Sequence, residues 1–181
     1  VALFGRRSRR LPPPVAARVA PDERVLAVAS LAEGDALVAT RFGLWWQTGD
    51  DAVRWDWHGI SRAALADRVL TVTLAERIDV WPDGTELMVD LPPRRFTLAD
   101  RTVLTDVVHA RVRGSVAVSA HLPHPAGGAW LVWRRVAGRD GLTRQVRLDP
   151  GTDAAAPGFA AAAAAGLASL RPDGAGAGDR R

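Results

Sequence analysis

The chain contains no cysteine. Disulfide frameworks, thiolate nucleophiles and cysteine-ligated zinc or iron–sulfur sites are therefore excluded, because the sulfur they need is missing. Lysine, asparagine and tyrosine are missing as well, and isoleucine occurs only as Ile60 and Ile78. These residues have A/T-rich codons, so the pattern reads as the product of a GC-rich genome, and having Arg in place of every Lys says little about phosphate or nucleic-acid binding. It also removes the Walker lysine, and no Gly-x-Gly-x-x-Gly opens a helix after a strand, which disfavours the common nucleotide-binding loops. No apolar run reaches the roughly 18 residues needed to span a membrane. The arginines between Arg6 and Arg10 lead into Leu11-Pro12-Pro13-Pro14 instead of the apolar stretch of a secretory signal, so the expected compartment is the cytoplasm.

What is present is enough for one core. With 181 residues and 48% hydrophobic content, the chain can bury a core, or a core with a small appended subdomain, without covalent staples. The formal charge of +4 is unevenly placed. Residues 1–18 hold five Arg and no acid, residues 19–170 hold 16 Arg against 18 acids, and residues 171–181 hold three Arg against two acids. The body is thus slightly acidic, and a nucleic-acid or anionic-lipid surface is not implied by composition. Residues 1–20, with Pro12-Pro13-Pro14, read as an extended basic arm, and the Gly/Ala/Asp/Arg-rich residues 171–181 as a frayed tail.

Between them, short strands separated by turn signals are predicted over residues 25–31, 36–41, 44–47 and 53–57. In the last of these Val53, Trp55 and Trp57 alternate with Arg54 and Asp56, which places the three apolar residues on one face. The alternation continues through Leu70, Val72 and Leu74, through Ile78 and Val80, and through Leu87, Val89 and Leu91, as in half-buried antiparallel strands. Pro82-Asp83-Gly84 is a turn that predicts a hairpin between residues 78–81 and 85–91. At Leu98 the period becomes helical, with Asp100 as the expected N-cap and Gly114 as the stop. Further strands are expected over residues 115–120, 129–136 and 143–148, and a second helix over residues 154–170 with Phe159, Leu167 and Leu170 on one side, weakened by Gly166.

About seven short antiparallel strands closed by a helix resemble a bacterial pleckstrin-homology-like (PH-like) domain over residues 22–113. The residues that carry the likeness are Glu23-Arg24-Val25-Leu26-Ala27, then the strand from Ala36 through Trp45, then Trp55-Asp56-Trp57-His58-Gly59-Ile60. The resemblance implies an α+β fold, a PH-like barrel or sheet closed by a helix, followed over residues 114–170 by a small β-meander and a C-terminal helix. It also implies a binding role, since PH-like domains take phosphoinositides, peptides or protein partners. Lipid-binding members place basic residues in the first strand-to-strand loop, which here is Ala32-Glu33-Gly34-Asp35; two carboxylates there count against phosphoinositide.

Motifs for chemistry are few. His121 and His124 form a His-x-x-His pair, but a metal needs three or four converging ligands, and an ordinary polar loop is the simpler reading. His109 reads as a partly exposed helix residue and His58 as a strand-end hydrogen-bonding residue. Ser115, Ser119 and His121 lie outside any nucleophile elbow. No catalytic residue, metal site or cofactor is therefore expected.

Seven tryptophans remain. Trp55 and Trp57 are expected in the core, whereas adjacent Trp45 and Trp46 cannot both face inward on a regular strand, so one should be exposed or covered by the C-terminal segment. Trp81, Trp130 and Trp133 raise the same question. Arg134, Arg135, Arg139, Arg144 and Arg147 fall on one predicted hairpin near Trp130 and Trp133. Trp45, Trp46, Trp81, Trp130, Trp133, Arg134, Arg135, Arg144 and Arg147 are therefore the candidate interface of a non-catalytic binding or scaffolding module with a protein partner. A nucleic-acid-binding accessory protein, using the basic arm and the hairpin from Arg134 to Arg147, is the alternative. An enzyme is a third, and it would need a deep pocket lined by His58, His109 or converging carboxylates.

Overall fold

The computed structural model describes residues 11–170 and Pro172. The first ten residues of the expected basic arm, with Arg6 to Arg10, and the expected frayed tail over residues 171–181, Pro172 apart, lie outside the described residues. The protein is α+β and mostly β, with one curled half-barrel sheet and a few helices. Four strands, β1 (Val25–Ser30), β2 (Ala36–Thr40), β3 (Gly43–Thr48) and β4 (Asp51–Asp56), form an antiparallel meander. After a single 3₁₀ turn (Trp57–Gly59) come β5 (Ile60–Ala66), β6 (Val69–Val80), β7 (Glu86–Asp90) and β8 (Arg94–Thr97). Helix α2 (Leu104–Ser115) follows, then β9 (Val116–Leu122), β10 (Ala129–Arg135), β11 (Leu142–Leu148) and helix α3 (Phe159–Ser169); a short helix α1 (Pro13–Ala16) precedes them all.

The predicted hairpin is present: β6 and β7 pair antiparallel through Val80↔Glu86, and Gly84 takes φ +80°, a value open to glycine at little steric cost. The two segments read as separate strands over residues 70–74 and 78–80 are one twelve-residue strand, β6. Its first half pairs with β5 and β8, two strands the sequence pattern did not show, and its second half with β7. The principal core lies between the meander and β5, β6 and β8, with Leu37, Leu44, Ile60, Leu70 and Val72 buried and α2 inserting Leu104 and Val108. A bridge between Leu31 and Leu98 closes one edge of the curled sheet.

Several expectations are corrected. Of the extended arm expected over residues 1–20, the described residues 11–20 are not extended: α1 packs a fully buried Val15 against Val38, Trp45 and Ala52 on the outer face of the meander. The strand expected to run to Trp57 ends at Asp56. Trp57 is buried from the 3₁₀ turn, its indole N–H donating to Thr40 O, while Val53, in the middle of β4, is 42% exposed. Helix α2 starts at Leu104, after Val103 in the N-cap place, with Thr102 Oγ1 accepting from Leu104 N–H, and runs through Gly114 into Ser115.

The boundary expected at residue 114 falls inside one sheet. Strand β11 joins β7 in parallel through Val146↔Leu87, so the order β5-β6-β7-β11-β10-β9 is continuous. Helix α3 covers one face of this sheet. Phe159, Ala163 and Leu167, four residues apart, meet Leu87, Leu131 and Val146 in a second core. Gly166 has a packing reason: a Cβ there would meet Leu131 Cδ1 at 2.3 Å. Helix α3 begins later than expected, after Pro157 and a left-handed Gly158. Among the described residues no helix is long and apolar enough to cross a membrane.

Candidate functional site

Side chains alternate across a strand, so the face of β7–β11–β10–β9 opposite α3 carries Trp130, Val132 and Arg134 from β10 and Gln145 and Arg147 from β11. The same register adds Ser119 from β9 and Asp90 from β7. Together with Ser61 and Arg62 at the start of β5 and the loop from Asp149 to Thr152, these residues, except Gln145, which is buried beneath them, line a cavity of about 590 Å³. That is a volume typical of small-molecule sites.

Two guanidiniums are enclosed there, Arg134 at 2% and Arg147 at 7% exposure. Arg134 donates to Ser115 Oγ at 2.7 Å and to Trp57 O at 3.3 Å, and its Nε, also buried, has no partner among the described residues. Arg147 donates from Nε and Nη2 to Gln145 Oε1 and from Nη2 to His58 O at 3.1 Å. Gln145, itself fully buried, passes its amide N–H to Glu86 Oε2 at 2.8 Å. Burial, and then the charge of Arg147, pull the Arg134 guanidinium down to about 9, with Asp90 opposing; burial pulls Arg147 down to about 10, opposed by Asp90 and Glu86. Both stay charged at neutral pH, at a desolvation cost that neutral acceptors relieve only in part.

The nine residues of the expected interface do not share a surface. Trp45 is buried, its indole N–H donating to the carboxylate of Glu23 at 3.1 Å. Trp46 is half-buried against Trp55 and Phe96, with Arg94 over its ring at 5.3 Å. The covering of Trp45 thus comes from the N-terminal segment, not from the C-terminal one. Trp81 and Trp133 pack against the α3 core, and Trp133 Nε1 donates to Leu167 O. Arg144 pairs with Asp83 at 3.0 Å and lies over Trp133. Arg135 is exposed on the α3 face of β10 and Trp130, at 48%, on the opposite one. Alternation along β10 and β11 therefore splits the arginines, sending Arg134 and Arg147 inward with Trp130 and leaving Arg135 and Arg144 on the other side. That signal was in the sequence; Asp90, Arg62 and Ser61 carried none, because the contacts that bring them in are non-local.

The histidines serve different places. His121 Nε2 lies 2.7 Å from Asp149 Oδ2, with its ring against Trp130, while His124 Nδ1 accepts from Ala126 N–H and its ring meets Phe159. Among the described residues no three His, Asp or Glu side chains converge as metal ligands. His58 lies behind Arg147, outside the cavity lining; burial lowers its pKa, Asp56 and Glu86 act against this, and Arg134 and Arg139 add to it. Comparison of the chain with protein-family models, with curated proteins and with solved structures finds no match.

Proposed function

We propose that the protein is a non-catalytic binding module on a PH-like half-barrel, and that it receives a small ligand in the cavity over the β7–β11–β10–β9 face. The observation that carries this reading is the cavity itself: an exposed Trp130 and the apolar Val89, Val116 and Val132 surround two buried charged groups. Apolar walls with a few fixed polar groups are the usual composition of a ligand site. The meander plugged by α2 supports the PH-like reading. The protein-partner surface first inferred from Trp and Arg loses its support, since Trp45, Arg134 and Arg147 are buried. The nucleic-acid alternative loses its hairpin for the same reason: enclosed arginines cannot track a phosphate backbone.

The test is a fragment screen followed by indole and backbone N–H NMR on the full chain. Bound fragments are expected to shift Trp130 and the amides of Ser119 and Val132 while leaving the buried indole of Trp45 unmoved. Filling the cavity with Ser119→Trp is expected to weaken them at least about tenfold. Hits that map only elsewhere, or that bind S119W equally well, contradict the reading.

A further inference from the structure

Resting on the cavity as the binding site, we propose that Arg134 and Arg147 form a subsite for the oxyanion head group, phosphate or carboxylate, of a small ligand whose flat apolar body lies on Trp130. The two guanidiniums project from neighbouring strands onto one face. Among the described residues no carboxylate pairs with either of them; the groups they meet, Ser115 Oγ, Trp57 O, Gln145 Oε1 and His58 O, are neutral acceptors. Such acceptors satisfy donors without cancelling charge. Arg134 keeps one buried donor, Nε, with no acceptor among the described residues.

A purely structural tie between β10 and the 3₁₀ turn does not need this arrangement. Buried charges are expensive, and apolar groups of similar volume often replace them at no loss of stability. An oxyanion supplies both things the site lacks, a negative charge and further acceptors, and the planar guanidinium fork matches phosphate and carboxylate alike. The cavity's own acids do not fill that role. Asp149 is held by His121, and Asp90, exposed at the rim, attracts both guanidiniums only from a distance, while Arg62 adds a third positive group. Trp130, beside Val132, offers the apolar wall for the rest of the ligand.

Calorimetric titration of the full chain with naphthoate, naphthyl phosphate and the neutral naphthamide tests the assignment, with the Trp130 indole N–H followed by NMR. At least one anion is expected to bind about tenfold or more tighter than the amide, the size of a charge-assisted hydrogen bond, and which anion is preferred distinguishes the two sources. Arg134→Met should erase that preference while naphthamide still moves Trp130, and Arg134→Lys should restore part of it. Should R134M fail to fold, sulfate competing naphthoate off the wild-type protein, with naphthamide unaffected, carries the same information. Equal binding of amide and anions overturns the subsite but leaves the cavity reading standing, as does an anion preference that survives R134M. If none of the three moves Trp130 the subsite also falls, and the cavity reading falls with it only when the wider fragment set leaves Trp130 unmoved.

Discussion

Replacing Phe159 by alanine is expected to lower the unfolding free energy by about 4 kcal/mol, a large share of what a domain of this size has. Phe159 is fully buried and is the first contact of α3 with the sheet, meeting the core built by Leu87, Leu131, Val146, Ala163 and Leu167. Truncation leaves a ring-sized void, and Gly166 already lets the helix sit close, so little room remains for the backbone to collapse inward. Because β6 and β7 belong to the sheet on which both cores rest, the loss should appear as one cooperative transition shifted to lower denaturant. Urea unfolding followed by far-UV dichroism and by tryptophan fluorescence checks this. Two separated transitions, or a loss under about 1 kcal/mol, would show that the C-terminal strands are an independent appendage.

Glu23→Ala should remove roughly 2–3 kcal/mol. The carboxylate is 4% exposed and accepts from Thr40 Oγ1, from Trp45 Nε1 and, at 3.4 Å, from Arg54. Alanine strands the Trp45 indole N–H inside the sheet, whereas Arg54 keeps Asp56 at 3.0 Å and, being partly exposed, loses little. Hence the expected loss comes chiefly from the orphaned buried donor, and Glu23→Gln, which retains one acceptor oxygen, should lose about half as much. The midpoint in urea measures it, and a shift within error for E23A would mean that this carboxylate does not organise the N-terminal segment.

What was legible in the sequence was local. The β6–β7 hairpin announces itself because Asp83 and Gly84 have turn chemistry, and the α3 face because Phe159 and Leu167 recur at helical spacing. The half-buried Trp55 and the buried Trp57 were also expected, although Trp57 arrives there from a 3₁₀ turn. The parallel junction of β11 with β7 was not legible, since Val146 and Leu87 are far apart in sequence and parallel pairing leaves no turn signature. Nor was the packing of Val15, because three prolines argue for an extended chain, yet a proline is tolerated in the first turn of a helix.

The candidate site was half visible. The sequence pattern groups Arg134, Arg147 and Trp130 with Arg135 and Arg144 in one candidate interface, although strand alternation alone separates the two sets. Burial then reverses their meaning: the inward pair makes a charged cavity, and the outward pair makes ordinary surface contacts with Asp83 and with backbone carbonyls. Gln145, whose amide relays Arg147 toward Glu86, could not be read as buried, since glutamine is mostly exposed.

Enclosure of the Arg134 and Arg147 guanidiniums is tested most directly by solvent exchange of the arginine Nε–H groups in the ligand-free protein, measured by NMR. Arg134 and Arg147 are predicted to exchange at least about tenfold more slowly than exposed Arg135, because both lie almost wholly out of contact with bulk water and Arg147 Nε–H is held by Gln145 Oε1. Exchange of both as fast as that of Arg135 would contradict it.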